Sequence, residues 1–353
     1  MEQKTMKALV YHGPGVISLD EVPVPEIKRP GDVIGRVTLN AICTSDVHVM
    51  HGHLPMAVPP LILGHEFVVE AVEVGPEAKD YYGNEIVIGR RYCVLPASFC
   101  GECEMCKQGR IAACVNGGTY GVRQDGCQAE YIRIPDAFSC MIPVPDGVSD
   151  SQIVLLGDML ATAWFGIINA NVKEGQMAAV VGLGPVGLCA CELLTKHFGC
   201  KVVGLTRDQG KIDMALKQGV IVAGVNPSTD DVAARVAELT DGKNFPAVIE
   251  TPGNQSSMDL ACSLVGFKGT VSTIAIFGGP IVIPMHQIVY RNATITMGVQ
   301  CLDGIDEMLA GILSGKLDTS WILTHSSSLD DILKGYEVFG NHTETCTKWV
   351  IEA

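Results

Sequence analysis

From Lys7 to about Pro145 the apolar residues fall in short runs, at 8–11, 33–39, 67–74, 86–94 and 129–134, broken by Gly and Pro. Runs of this length, rich in Val and Ile and bounded by turn formers, predict strands, so this part of the chain reads as β-rich. At about Gln152 the pattern becomes helical, and from Gln176 to about Gln300 strand-like and helix-like runs alternate. Strands are predicted at 177–181, 201–205, 221–225, 247–250, 270–275 and 293–297, and helices at 186–197, 211–218, 232–240 and 256–265. Repeated strand-helix units predict a parallel, doubly wound sheet. Beyond Cys301 the pattern predicts helices at 304–314 and 329–339 and a last strand at 348–351, which should return to the β-rich domain. The expected division is 1–160 with 302–353, and 161–301.

Composition narrows the class. The 353 residues, 47% hydrophobic and 18% charged, suit a soluble protein of two domains, each able to bury a core. The first residues run into a strand-like segment with no leader-like apolar region, and no apolar run looks long enough to span a bilayer. A cytoplasmic protein with no membrane partner is expected. A net charge of −14 without clustered Lys or Arg argues against nucleic acid. Of the 14 cysteines, singletons such as Cys189, Cys191, Cys262 and Cys301 sit in apolar segments, as reduced buried thiols do.

The remaining cysteines carry chemistry. Cys100, Cys103, Cys106 and Cys114 are close enough in sequence for one loop to wrap four thiolates around a tetrahedral ion. A redox dithiol would need only one pair, near a βαβ unit. The lobe, about 98–116, interrupts two strands and has no apolar core of its own, so a structural zinc is expected to hold its shape. Cys43, the pair His65-Glu66 and Asp158 bring one thiolate, one imidazole and carboxylates from distant points, the composition of an open, catalytic site. Asp158 sits inside the apolar run 153–164, where a buried carboxylate needs a partner.

Gly182-Leu-Gly184-Pro185-Val186-Gly187 follows a predicted strand and opens a helix. There Gly182 would make the tight turn, Gly184 would admit a pyrophosphate, and Gly187 would let helix and strand pack closely. At the end of the next strand an acid would bind the adenosine ribose hydroxyls and repel a 2′-phosphate. Thr206 stands there instead, followed by Arg207, which favours NADP(H) over NAD(H); Asp208 is the competing ribose acceptor.

The motifs Met6-Lys-Ala-Leu-Val-Tyr11, Cys43-Thr44-Ser45-Asp46-Val-His48 and Gly64-His65-Glu66, with the four-cysteine lobe, the glycine turn and Lys348, come in an order that resembles the zinc-dependent medium-chain alcohol dehydrogenases over nearly the whole chain. The resemblance implies an α/β protein, a β-rich GroES-like catalytic domain plus a Rossmann domain, with two zinc ions per chain. It implies Cys43, His65 and Asp158 as catalytic zinc ligands and Glu66 as their neighbour or an intermittent fourth ligand. Asp158 stands where one branch has Cys, which resembles bacterial secondary-alcohol dehydrogenases, although those often lack the cysteine lobe kept here.

By the same resemblance Ser45 and His48 match a proton path, Thr44 could contact the cofactor, and Lys348 matches a basic residue that approaches the cofactor phosphates. Ile276, Phe277 and Val299 would fall near nicotinamide and substrate. The implied activity is reversible oxidation of an alcohol, a secondary one favoured, to its ketone or aldehyde by a homo-oligomer, dimer or tetramer. A polyol or amino-alcohol dehydrogenase is the alternative within the family. Outside it stand a zinc-ribbon binding module without catalysis, which leaves the Cys43, His65 and Asp158 set unexplained, and a zinc-free quinone reductase, which those ligands oppose.

Overall fold

The structure is a computed structural model and describes residues 4–300, 302–341 and 345–352, so Cys301 lies outside the described residues. The chain forms two compact units, Met1–Asp158 with Thr319–Ala353, and Met159–Asp318.

The first unit is built on antiparallel strands, save for the parallel pair His325–Ser328 and Trp349–Glu352. Thr5–Gly13 pairs with Val16–Pro23, a strand whose Ser18, Asp20 and Glu21 hid it from the apolar pattern. The larger sheet runs Met141–Pro143, Arg91–Val94, Glu66–Val74, Val33–Ile42, Trp349–Glu352, His325–Ser328, with Tyr131–Ile134 also on Val33–Ile42. Its register builds the site. Glu66 lies opposite Ala41 on one side of the central strand, and Trp349 lies opposite Ile42 on the other. Cys43, His65, Glu66 and Lys348 are thereby gathered at one end of three neighbouring strands, although they are far apart in the chain.

The second unit carries a six-stranded sheet in the order Ala223–Val225, Lys201–Leu205, Met177–Val181, Phe245–Glu250, Val265–Thr273, Thr294–Met297, every pair parallel. The order reverses beside Met177–Val181, and ligands of such sheets bind past the carboxyl ends of the strands at that reversal. A cavity of about 350 Å³ lined by Met177, Thr240, Lys243 and Phe267 lies at the opposite ends of the strands and is unrelated to that position.

Two differences from the sequence pattern have physical reasons. The boundary falls after Asp318, later than residue 302, because helix Ile305–Leu313 buries Ile305, Met308 and Ile312 in the second unit. The same unit is tied by the Asp318 N–H, which donates to Glu192 Oε1 at 3.2 Å. The helical run 150–169 is, contrary to expectation, long and apolar enough to cross a membrane by length and composition, but 67% of its apolar 18-residue window is buried inside the protein, as in core helices.

Candidate metal centres and cofactor turn

Each member of the first group is positioned by its local structure. Cys43 ends the central strand and caps helix Thr44–Met50, with its own N–H donating to Asp46 Oδ2 at 2.9 Å. His65 follows Gly64, whose φ of +96° and lack of side chain are both required: a Cβ there would come within 2.8 Å of Gln128 and Cys127. Asp158 sits on a π-helical turn, Leu156–Leu160, of the kind that often marks functional positions in helices. Burial of Leu155, Leu156 and Leu160 fixes that turn.

One ligand atom from each of Cys43, His65, Glu66 and Asp158 lies within 4.8 Å of all the others. His65 Nε2 is 3.3 Å and Cys43 Sγ 3.8 Å from Asp158 Oδ2. Ordinary zinc bond lengths at a tetrahedral angle would separate such N···O and S···O pairs by about 3.4 and 3.6 Å. The set therefore fits a zinc ion.

The electrostatics agree. Burial disfavours the charged ring of His65, but Asp46, Cys43 and Asp158 outweigh it and hold the imidazole well above its ordinary value. Burial likewise works against ionised Asp158, yet His65 and Lys348 keep it below its usual range. Burial pushes Glu66 up to about 7 against the pull of Lys348, and its Oε2 is buried without a hydrogen-bond partner.

The second group is a lobe closed at its base by the two-stranded pairing of Ala97–Ser98 with Gly118–Thr119. The sulfurs of Cys103 and Cys106, Cys103 and Cys114, and Cys114 and Cys100 are 3.5, 3.9 and 3.6 Å apart. Four thiolates on one tetrahedral zinc stand about 3.8 Å from one another. Backbone N–H groups of Cys100 and Gly117 donate to Cys114 Sγ, at 3.4 and 3.1 Å, and that of Cys103 to Cys100 Sγ at 3.4 Å. Amides of Cys106 and Val115 bring the Cys103 thiol down to about 6.

In the second unit, Gly182 closes strand Met177–Val181 with φ +88°, and Gly187 approaches so closely that a Cβ on it would lie 1.9 Å from the Gly182 carbonyl oxygen. A Cβ on Gly184 would meet nothing within 4 Å. That residue caps helix Pro185–Glu192, so the helix N-terminus opens onto unfilled space, a ready anion site. Thr251, which the sequence gave no reason to single out, locks the turn from the neighbouring strand: its hydroxyl donates to the carbonyls of Val181 and Gly182, each at 3.1 Å.

Residues 29–146 match the family described as alcohol dehydrogenase GroES-like domain, and residues 185–311 the family described as zinc-binding dehydrogenase. An alcohol dehydrogenase of Cupriavidus necator is 29% identical over 98% of both chains. A probable zinc-binding alcohol dehydrogenase of Mycobacterium tuberculosis is 30% identical over 94% of this chain and 84% of its own. Among solved structures, zinc-dependent alcohol dehydrogenase 2 from Streptococcus pneumonia is similar with a TM-score of 0.90 at 30% identity, covering 98% of each chain. The chain belongs to the zinc-dependent medium-chain alcohol dehydrogenases.

As a dehydrogenase of this family it interconverts an alcohol and a carbonyl compound. Its other candidate residues are distributed as follows. Ser45 is half-buried, its hydroxyl 3.4 Å from Cys43 Sγ, and Thr44 is exposed. His48, on the same helix, has Nδ1 3.3 Å from His53 Nδ1; burial, then His53 and His51, lower its pKa. Ile276 and Val299 are exposed, and Phe277 packs partly against the core of the sheet unit.

Lys348 lies beside the same group of residues. It is fully buried, and its Nζ donates to Glu66 Oε1 at 2.7 Å. Its charge is paired with the carboxylate beside the zinc ligands. Removing one partner of such a buried pair strands the other charge, at a cost of about 3–5 kcal/mol.

Three further residues touching this site were not assigned from sequence. Asp46 Oδ1 lies 3.0 Å from His65 Nδ1, Gln128 Nε2 donates to Asp46 Oδ2 at 3.3 Å, and Tyr336 Oη donates to Gln128 Oε1 at 2.8 Å. Asp46 stood inside the cysteine motif three residues from Cys43, the one available signal. Gln128 and Tyr336 carry no motif at all.

Proposed function

We propose that this enzyme oxidises a secondary alcohol to its ketone, and the reverse, with two zinc ions per chain and NADP(H) in preference to NAD(H). The observation that carries the reading is the convergence of Cys43, His65, Glu66 and Asp158 from separate parts of the chain. When bound, zinc polarises the substrate oxygen and the nicotinamide exchanges the hydride.

The protein's own residues do the rest. Cys43, His65 and Asp158 hold the ion, and the Asp46 carboxylate stands on the Nδ1 side of His65, 3.0 Å away, so that Nε2 faces the ion. Ser45 Oγ accepts the proton of the substrate hydroxyl as its own hydroxyl proton passes outward towards His48. His48, neutral at working pH because its pKa is depressed, receives a proton further out. Thr44 offers a hydroxyl to the cofactor, and Gly182, Gly184, Pro185, Val186 and Gly187 present the helix N-terminus to its phosphates.

The nucleotide preference rests on Thr206 and Arg207. Asp208, the competing acid, caps the next helix, accepting from the Lys211 N–H at 3.3 Å with Lys211 Nζ 3.8 Å from its other oxygen, so it is engaged away from a ribose. Arg207 is exposed. Secondary alcohols and ketones of increasing size, assayed with both nucleotides, should give turnover, with the lower KM for NADP(H). Arg207→Ala should lower kcat/KM for NADP(H) by about 10- to 150-fold, the worth of a charge-assisted contact of roughly 1.5–3 kcal/mol, and leave NAD(H) kinetics nearly unchanged. Equal preference before and after the change removes Arg207 from the site.

The lobe is read as structural. Cys103→Ser should lower zinc from two to one per chain with activity kept and the thermal midpoint reduced, about 2–4 °C for each kcal/mol lost in a unit of this size. Elemental analysis and a melting curve check it; loss of activity with the lobe zinc retained would reverse the assignment.

Homo-oligomerisation is supported by strand Thr294–Met297, which edges the six-stranded sheet beside exposed Val282, Met285, Tyr290, Met297 and Val299. A second copy of the chain is the proposed cover. Cytoplasmic placement is supported by cysteine chemistry, since no disulfide joins any of the described cysteines.

A further inference from the structure

Tyr336 lies on helix Ile332–Asn341, which buries Ile332, Gly335, Tyr336 and Phe339 on one face against the sheet that ends at Cys43. Its ring is part of an apolar cluster with Ile42, Val49, Leu63 and Trp349, but its hydroxyl is used for one contact, the donation to Gln128 Oε1. Gln128 is wholly buried and held by its backbone, its N–H donating to the Leu63 carbonyl at 2.9 Å and its carbonyl accepting from the Leu9 N–H at 2.8 Å.

The side-chain amide of Gln128 can face two ways, and its two ends demand the same one. With Nε2 on Asp46 Oδ2 and Oε1 on the phenol, both contacts pair a donor with an acceptor. Flipped, Oε1 would face a carboxylate across a fully buried contact, where the repulsion is strong. Asp46 Oδ2 is thus fixed by two donors, the Cys43 N–H and the Gln128 amide, which leaves Oδ1 turned to His65 Nδ1, 3.0 Å away and off the straight line of an ideal hydrogen bond. A metal-bound histidine takes its orientation and basicity from such a carboxylate.

We propose that Tyr336 and Gln128 are positioning residues that act through Asp46 on His65 and set how tightly the catalytic zinc is held. The inference rests on Cys43, His65 and Asp158 being zinc ligands. It extends control of the metal to a residue far along the chain, on a helix that supplies no ligand.

The test uses the zinc-loaded enzyme, with the lobe zinc as internal control. Release of each zinc to a chromophoric chelator is followed in the wild type, Tyr336→Phe, Asp46→Asn and the double variant. Losing a residue that orients a ligand costs 10- to 100-fold in metal affinity, so Asp46→Asn should weaken one zinc by that much and Tyr336→Phe by about 10-fold. The lobe zinc should be unaffected in both.

Because Tyr336 acts through Asp46, the double variant should be no worse than Asp46→Asn alone. Tyr336→Phe leaves Gln128 Oε1 without its donor, so the paired change Tyr336→Phe with Gln128→Met removes both polar ends. It should recover thermal stability and still release the catalytic zinc early. Equal acceleration of both zincs, additive effects in the double variant, or recovery of metal retention along with stability would each overturn the inference. A wild type with only the lobe zinc would instead remove the ligand reading on which it stands.

Discussion

Asp158→Ala should abolish turnover, lowering kcat/KM by more than about 10³-fold, and should carry away one of the two zinc ions. The expectation exceeds the 10- to 100-fold typical of residues that only brace a ligand, because the carboxylate itself is one of three protein donors. Asp158 Oδ2 is the atom shared between the 3.3 Å approach of His65 Nε2 and the 3.8 Å approach of Cys43 Sγ, so its removal opens the middle of the cage. The fold should survive, since the π-helical turn is held by buried Leu155, Leu156 and Leu160 and not by the carboxylate. Nucleotide binding should also survive, because the glycine turn belongs to the other unit. Zinc analysis, a fluorescence titration with nucleotide and steady-state rates suffice. Near-normal activity with two zinc ions retained would show that Asp158 is no ligand, and Asp158→Cys, which restores a negative donor of a softer kind, should recover metal where Ala does not.

What the sequence made legible was whatever a local pattern encodes. The parallel sheet announced itself through strand-helix alternation, and strands Met177–Val181 and Lys201–Leu205 lie where the apolar runs placed them. The cysteine lobe and the glycine turn are contiguous motifs whose function is local. Strand His325–Ser328 escaped notice because His-Ser-Ser-Ser has no apolar face to alternate; it is specified by pairing with Trp349–Glu352, a partner more than twenty residues away. Lys348 enters the sequence reading only through resemblance, as a basic residue near the cofactor phosphates, and nothing near it in sequence shows that antiparallel register sets it beside Cys43 and buries it on Glu66. Tyr336 and Gln128 were invisible for the same reason: their meaning lies in a contact across 208 residues.

Loss of the Ser45 hydroxyl should cost turnover on the order of 10²–10⁴-fold, the range for removing a positioned proton-transfer group, while leaving zinc content and nucleotide binding unchanged. Ser45 begins within hydrogen-bond reach of a ligand sulfur, at 3.4 Å from Cys43 Sγ, on the first turn of a helix whose cap is Cys43 itself, so its hydroxyl cannot drift from the metal group. Ala keeps that turn helical and removes only the oxygen. The pH profile separates a proton path from simple packing. His48 is held below its ordinary value of 6.5 by burial and by His53 and His51, so it stays neutral and able to accept a proton as pH falls, and loses that capacity only below 6.5. In the wild type the acid limb of kcat/KM for alcohol oxidation should therefore lie below pH 6.5. In Ser45→Ala, where the substrate proton no longer reaches His48, that limb should flatten. A variant slowed by the expected factor whose acid limb is unmoved would place Ser45 in substrate positioning and take His48 out of the path, with the zinc assignments left standing.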